Sequence, residues 1–195
     1  LPDYIYTTGS FINSNLKRYM GEVKVKTLSL FKNPKKIFSQ SKKNNKILVI
    51  LPIYFEECVY ILNLIKKTFI KVKDIDNRLL IKFHPSVDSK RLFKKNNSLR
   101  VLNKYVSIKD TNNLINNADK VVIGISSIYY LLICNNLNII VLSEKFKTIK
   151  EIFGIKNAKT MLIKDENNLC KALNSKTKKM TKKFNSKLFK KIYTK

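Results

Sequence analysis

Ile47-Leu48-Val49-Ile50-Leu51-Pro52-Ile53 is an almost unbroken apolar run, and Glu56–Lys71 follows it with apolar residues at Val59, Ile61, Leu62, Ile65 and Phe69. The run has the composition of a strand buried on both faces. The spacing behind it is helical. A strand buried on both faces is a feature of parallel sheets, whose crossovers put helices on each side. The same alternation continues downstream. Leu79–Phe83 reads as a strand closed by His84-Pro85, and a helix from about Asp88 to Lys95 precedes a brief strand near Leu99–Leu102. Asp110 or Thr111 caps a helix through Asn117. Lys120–Gly124 is a strand, and Ser126-Ser127 opens the helix Ile128–Cys134. Asn138–Leu142 is a strand, followed by a helix near Lys147–Phe153, a strand at Thr160–Ile163 and a helix at Glu166–Leu173. Five or six strands alternating with helices predict an α/β fold, a Rossmann-like parallel sheet with helices on both faces.

Upstream of the decisive run the pattern is shorter. Asp3–Thr8 reads as a strand ending at Gly9, Ser10–Met20 as a short helix stopping at Gly21, and Val23–Leu28 as a second strand. From Phe31 to Lys46 the composition turns to Lys, Asn, Ser and Gln, as in an exposed linker. The expected divisions are therefore 1–30, the end of a preceding domain; 31–46, a linker; 47–173, the Rossmann-like domain; and 174–195, a basic tail. The opening Leu1-Pro2-Asp3-Tyr4 reads as the middle of a longer protein.

The chain has 195 residues, 44% of them hydrophobic, which is enough for a core and excludes collagen-like and wholly disordered classes. Cys58, Cys134 and Cys170 lack C-x-x-C spacing and read as reduced, core-facing thiols. No apolar run reaches the about 18 residues of a membrane span. The net charge is +27, from 40 basic and 13 acidic residues. It favours anionic partners. Codon bias is the competing reading, because 36 Lys against 4 Arg, with 24 Ile and 22 Asn, is what A- and T-rich codons produce. Nucleic-acid modules combine Arg with aromatics on a recognisable framework. None is visible, so no specific nucleic-acid partner is expected.

Ligands of such sheets sit beyond the carboxyl ends of the strands. Tyr54, Phe55, Glu56 and Glu57 stand there after the first strand, His84-Pro85 after the second, Gly124, Ser126 and Ser127 farther on, and Ser143 and Glu144 after the next. His84 is the only histidine, so a histidine-based metal cluster is not expected, and the glycine patterns of NAD and P-loop sites are absent. Held by the following proline, His84 can donate to a phosphate oxygen or pass a proton to a leaving group; an ordinary turn histidine looks the same. Gly124 permits a tight turn, and the two hydroxyls beside unpaired N–H groups make a phosphate seat, or an ordinary cap. Glu56 and Glu57 read as charges favoured at a helix start, not as catalytic groups. Lys82 reads as a solvated side chain.

Lys82-Phe83-His84-Pro85, the run Asp110–Asp119 and Gly124-Ile125-Ser126-Ser127 together resemble the nucleotide-binding half of bacterial GT-B glycosyltransferases that build surface polysaccharides. The likeness covers about residues 2–173. It is nearest to sialyltransferases and polysialyltransferases with His-Pro and Ser-Ser motifs, and similar to capsule-polysaccharide and CDP-glycerol transferases. The resemblance implies the C-terminal domain of a GT-B fold and a CMP-linked sugar donor, sialic-acid-like or related, with no cofactor and no metal. It implies that His84 contacts the donor phosphate and helps CMP leave, that Ser126 and Ser127 bind the same phosphate, and that Pro85 and Gly124 shape the turns. Relatives carry an acidic residue shortly after the serine pair, where Tyr129–Leu132 stand here; Glu144 is the candidate to replace it. The implied acceptor is a surface glycan or lipid-linked glycan, and the implied place of work is the cytoplasm or the inner membrane's surface. The general base belongs to the family's other domain, so this chain alone is expected to be inactive.

Residues 176–193 place Met180, Phe184, Leu188 and Ile192 four apart among lysines. This is a basic amphipathic helix, suited to an anionic membrane surface or to docking on another domain. A function of another class also fits the sequence: a non-catalytic or degenerate basic Rossmann-like module that binds a polyanion or membrane.

Overall fold

The structure, a computed structural model, describes residues 4–8, 24–28, 45–134, 137–143, 154 and 159–175. The expected helices at Ser10–Met20 and Lys147–Phe153, most of the linker, Glu144 and the tail 176–193 lie outside the described residues.

Strands β1 (Tyr4–Thr8) and β2 (Lys24–Leu28) pair in parallel, Tyr4 opposite Lys24. The larger sheet is built from β3 (Lys46–Ile50), β4 (Leu79–Lys82), β5 (Ala118–Ile123), β6 (Asn138–Leu142) and β7 (Thr160–Ile163). Its spatial order is β4-β3-β5-β6-β7, all parallel. The expected α/β Rossmann-like architecture is what the chain adopts.

Why these residues make this sheet follows from the two-residue period of a strand. Ile47, Val49 and Leu51 point to one face and join the core with α1 (Phe55–Thr68), α2 (Ile75–Arg78), α3 (Ser89–Lys95) and α6 (Glu166–Asn174). Leu48 and Ile50 point to the other face and pack with α4 (Thr111–Asn117) and α5 (Ile128–Cys134). Both faces are thus covered, and all six residues of β5 are buried. Each fully buried Leu or Ile contributes about 1.5–3 kcal/mol. Of the expected caps Asp110 forms, accepting from the N–H groups of Asn112 and Asn113; Asp88 also caps its helix, accepting from the Arg91 N–H. Cys58, Cys134 and Cys170 are free and buried, and burial pushes the Cys58 and Cys134 thiols up to about 12. Among the described residues no helix is long and apolar enough to cross a membrane.

One expected strand is corrected. Residues near Leu99–Leu102 lie instead in a 3-10 helix, Asn97–Tyr105. Leu99, Leu102 and Tyr105 recur every third residue, which in a 3-10 helix puts them on one line, and all three are buried. The strand-like contact comes just after, as a bridge between Val106 and Ile81. Boundaries also move. The first strand ends at Ile50, although Leu51 still donates to the Lys82 carbonyl; the β5 strand begins two residues early, at Ala118.

Lys120 stands within β5 and is only 3% exposed. Its Nζ donates to the carbonyls of Ala172, Leu173 and Ser175 at 2.7, 2.7 and 2.5 Å. These carbonyls lie at the C-terminal end of α6, where that of Ala172 also accepts the Ser175 hydroxyl at 2.8 Å, so the buried ammonium caps that helix. Burial, with the Arg78 charge, lowers Lys120 to about 8 from 10.5. Lys120→Met should cost about 2–3 kcal/mol, because the carbonyls of Leu173 and Ser175 lose the ammonium donor, and the melting temperature should fall by about 5–10 °C. Between pH 8 and 10.5 the unfolded chain binds more protons at this residue than the folded one, so the wild type should gain stability relative to the variant as pH rises through that window.

Candidate functional site

In the order β4-β3-β5 the chain leaves β3 toward one side and returns on the other. In sheets of this kind such a reversal marks where ligands bind, beyond the carboxyl ends of β3 and β5. Tyr54, 69% exposed, and the exposed Ile53 stand at the end of β3, and Ile125 is exposed at the end of β5.

Glu57, in the first turn of α1, reaches the end of β5. Its Oε1 accepts the Ile125 N–H at 2.8 Å. A Cβ on Gly124 would lie 2.4 Å from that oxygen and 2.9 Å from Ile61 Cδ1. Gly124 is therefore glycine because a carboxylate packs on its backbone, and its φ is not positive. The chain does bend at Gly124-Ile125, and Glu57 does more than place a charge at a helix start. Burial raises the Glu57 carboxyl above its ordinary 4.5, and the Ile125 N–H opposes the shift. Glu56 remains exposed. No sequence periodicity could reveal the contact, since it joins residues 68 positions apart.

His84 closes β4, on the other side of β3. Its carbonyl accepts the Val87 N–H at 2.9 Å, a four-residue turn with Pro85 at the second position, where its fixed φ fits. The Ser86 N–H donates to His84 Nδ1 at 3.2 Å. With Nδ1 accepting, the neutral ring carries its proton on Nε2, which makes no hydrogen bond among the described residues. The ring is exposed, as is Pro85. Lys82 is not simply solvated: its Nζ donates to the carbonyls of Lys109 at 2.8 Å and Ile108 at 3.4 Å, tying the loop before α4 to the end of β4.

Ser126 and Ser127 lie between β5 and α5. The Ser126 Oγ accepts the Ile128 N–H at 3.4 Å and its carbonyl accepts the Tyr129 N–H; the Ser127 carbonyl accepts from Tyr130, and Ser127 is exposed. Because β4 and β5 are the two neighbours of β3, His84 and the Gly124–Ser127 loop flank one strand end, about 10 Å apart by strand spacing. The structure thus puts His84, Pro85, Gly124, Ser126 and Ser127 on one rim, but not in direct contact. The rim offers an imidazole N–H, a serine hydroxyl pair, a carboxylate and an exposed phenol. That set can hold a phosphate and a polar organic group side by side.

Alanine at Gly124 should destabilise by about 1–3 kcal/mol through overpacking. Combined with Glu57→Ala the cost should shrink, giving a coupling of about 1 kcal/mol or more in urea denaturation. The raised Glu57 carboxyl has a further consequence. Above pH 4.5 the folded chain holds the proton longer than the unfolded one, so stability relative to Glu57→Gln should fall as pH rises through the folded value.

No protein-family model matches the chain, and no curated protein matches it significantly. Solved structures do. The UDP-GlcNAc 2-epimerase of Methanocaldococcus jannaschii, in complex with UDP-GlcNAc and UDP, is 18% identical with a TM-score of 0.55, over 97% of this chain and 59% of that one. The wall teichoic acid polymerase TagF, with CDPG, is 12% identical with a TM-score of 0.52, over 97% of this chain and 52% of that one. The chain spans little more than half the length of either. At such identities the likeness is one of fold, and it does not single out the sialyltransferase type. The chain shares their Rossmann-like α/β architecture.

Proposed function

We propose that this chain supplies the donor-binding half of a nucleotide-sugar transferase, with the donor phosphate held at the rim between His84 and Ser126–Ser127. The observation that carries the reading is the flanking of the β3 end by His84 on one side and the Gly124–Ser127 loop on the other, at the reversal of strand order. The Ile125 N–H is taken by Glu57, which leaves the serine hydroxyls as phosphate donors. His84 Nε2–H donates to a phosphate oxygen. As the bond from the phosphate oxygen to the sugar carbon breaks, negative charge gathers on that oxygen, and a donor already in place lowers the barrier. The acceptor oxygen forms the new bond to the sugar carbon and gives its proton to a base that we do not assign to this chain. Tyr54 offers a face on which a base can stack.

The favoured donor is a CMP-linked sugar, sialic-acid-like or related, and the favoured acceptor a surface glycan or lipid-linked glycan. The His-Pro and Ser-Ser motifs support a cytidine nucleotide, and one structural neighbour was solved with CDPG. Glu144 is the further candidate for a ribose contact. The isolated chain is expected to bind the donor without transferring sugar.

Calorimetric titration of CMP, CDP and UMP tests this. Cytidine-selective binding should weaken about tenfold or more in His84→Ala and in Ser126→Ala/Ser127→Ala, the loss expected for hydrogen bonds to a charged group. Tyr54→Ala should weaken it by about fivefold or more. Binding that ignores base and mutation and fades with salt would instead favour a basic polyanion-binding module.

A further inference from the structure

We infer that α3, the 3-10 helix Asn97–Tyr105 and the loop through Lys109 form a docking face for an anionic phospholipid bilayer. The first observation is where the charge sits. Ser89–Lys109 contains seven basic residues, Lys90, Arg91, Lys94, Lys95, Arg100, Lys104 and Lys109, and no acidic one. Residues 47–173 carry 21 basic and 11 acidic groups, so outside this stretch the domain is nearly balanced, with a net charge of +3. A codon bias raises Lys everywhere; it does not clear the acids from one stretch.

The second observation is how the stretch folds. Leu92, Phe93, Leu99, Leu102 and Tyr105 are buried, and α3 packs beside the 3-10 helix. The polar sides therefore face outward together, and all seven basic residues are exposed. Among the described residues only Lys104 pairs with a carboxylate, Asp76 at 3.3 Å, and that pair is itself exposed.

The third observation chooses the partner. Two aliphatic side chains stand out from this basic face, Val101 at 51% and Ile108 at 96% exposed. Ile108 is held out by its neighbours: the Ser107 N–H donates to the Ile81 carbonyl at 2.8 Å, and Lys82 Nζ grips the Lys109 carbonyl. A braced, exposed isoleucine among lysines suits a surface with charge outside and hydrocarbon beneath. Nucleic acid would call for stacking aromatics or a fork of arginines. Asp88, the cap of α3, lies four residues after His84, so docking here would hold the His84 rim beside the bilayer. The inference does not depend on the nucleotide reading.

Co-sedimentation of the full chain with phosphatidylcholine vesicles, with and without phosphatidylglycerol, tests it, with melting temperatures confirming that each variant folds. Binding should require phosphatidylglycerol. Lys90→Glu/Arg91→Glu/Lys94→Glu/Lys95→Glu should weaken it about tenfold or more, and Arg100→Glu/Lys104→Glu provides the same test if the first variant fails to fold. Ile108→Asp should weaken it by about fivefold or more. No binding, or binding unchanged by the charge reversals (as when residues 176–193 act alone), overturns the inference. So does binding that ignores Ile108→Asp and is matched by heparin or single-stranded RNA.

Discussion

The parallel pairing of β3 with β5 is the constraint on which the rest of the structure depends. These strands have no exposed face, because Ile47, Leu48, Val49 and Val121–Ile123 are all fully buried. Their backbone groups must therefore be satisfied by one another, and the register Leu48 to Val121 follows. The pairing forces β4 to the far side of β3 and makes the strand order reverse there. It also brings the start of α1 over the end of β5. The Glu57 carboxylate meets the Ile125 N–H, and a Cβ at position 124 would crowd that carboxylate and Ile61. Core and rim are consequences of the same pairing.

That much of the fold was legible because the apolar pattern is strong where the sheet is buried. Asn138–Leu142 and Thr160–Ile163 stand where the sequence predicts them. Asp88 and Asp110 cap helices as their chemistry demands, each accepting nearby N–H groups. The misreading at Leu99–Leu102 has a physical cause: a few apolar residues in a short segment do not separate period two from period three, and burial of Leu99, Leu102 and Tyr105 on one line decided for the latter. Lys120 was hidden in another way. A lysine inside an apolar run gives no sign that three carbonyls of a distant helix end await it.

The rim was half legible. His84-Pro85 and Ser126-Ser127 stand out as residue types at strand ends, and the sheet does place them around one strand. Glu57 was not, since its role depends on a contact between elements far apart in sequence. Nor was the bracing of the Ile108 loop by Lys82, because a lysine bonded to carbonyls and a solvated one read alike. The net charge of +27 likewise divides only once burial is known. Lys120 belongs to the core, whereas the seven basic residues of Ser89–Lys109 share one outer face. The two solved structures agree with the architecture, and the proposed donor rests on the His-Pro and Ser-Ser motifs at the rim.

The most direct measurement is amide chemical-shift mapping of the labelled chain as CMP is added. The amides of His84, Ser86 and Val87 and of Gly124–Ile128 should shift together along one titration curve, with Tyr54 and Glu57 beside them. Shifts confined to the basic face at Lys90–Lys109, or to the polar cavity of about 470 Å³ lined by Lys46, Asp76 and Tyr105, would contradict it.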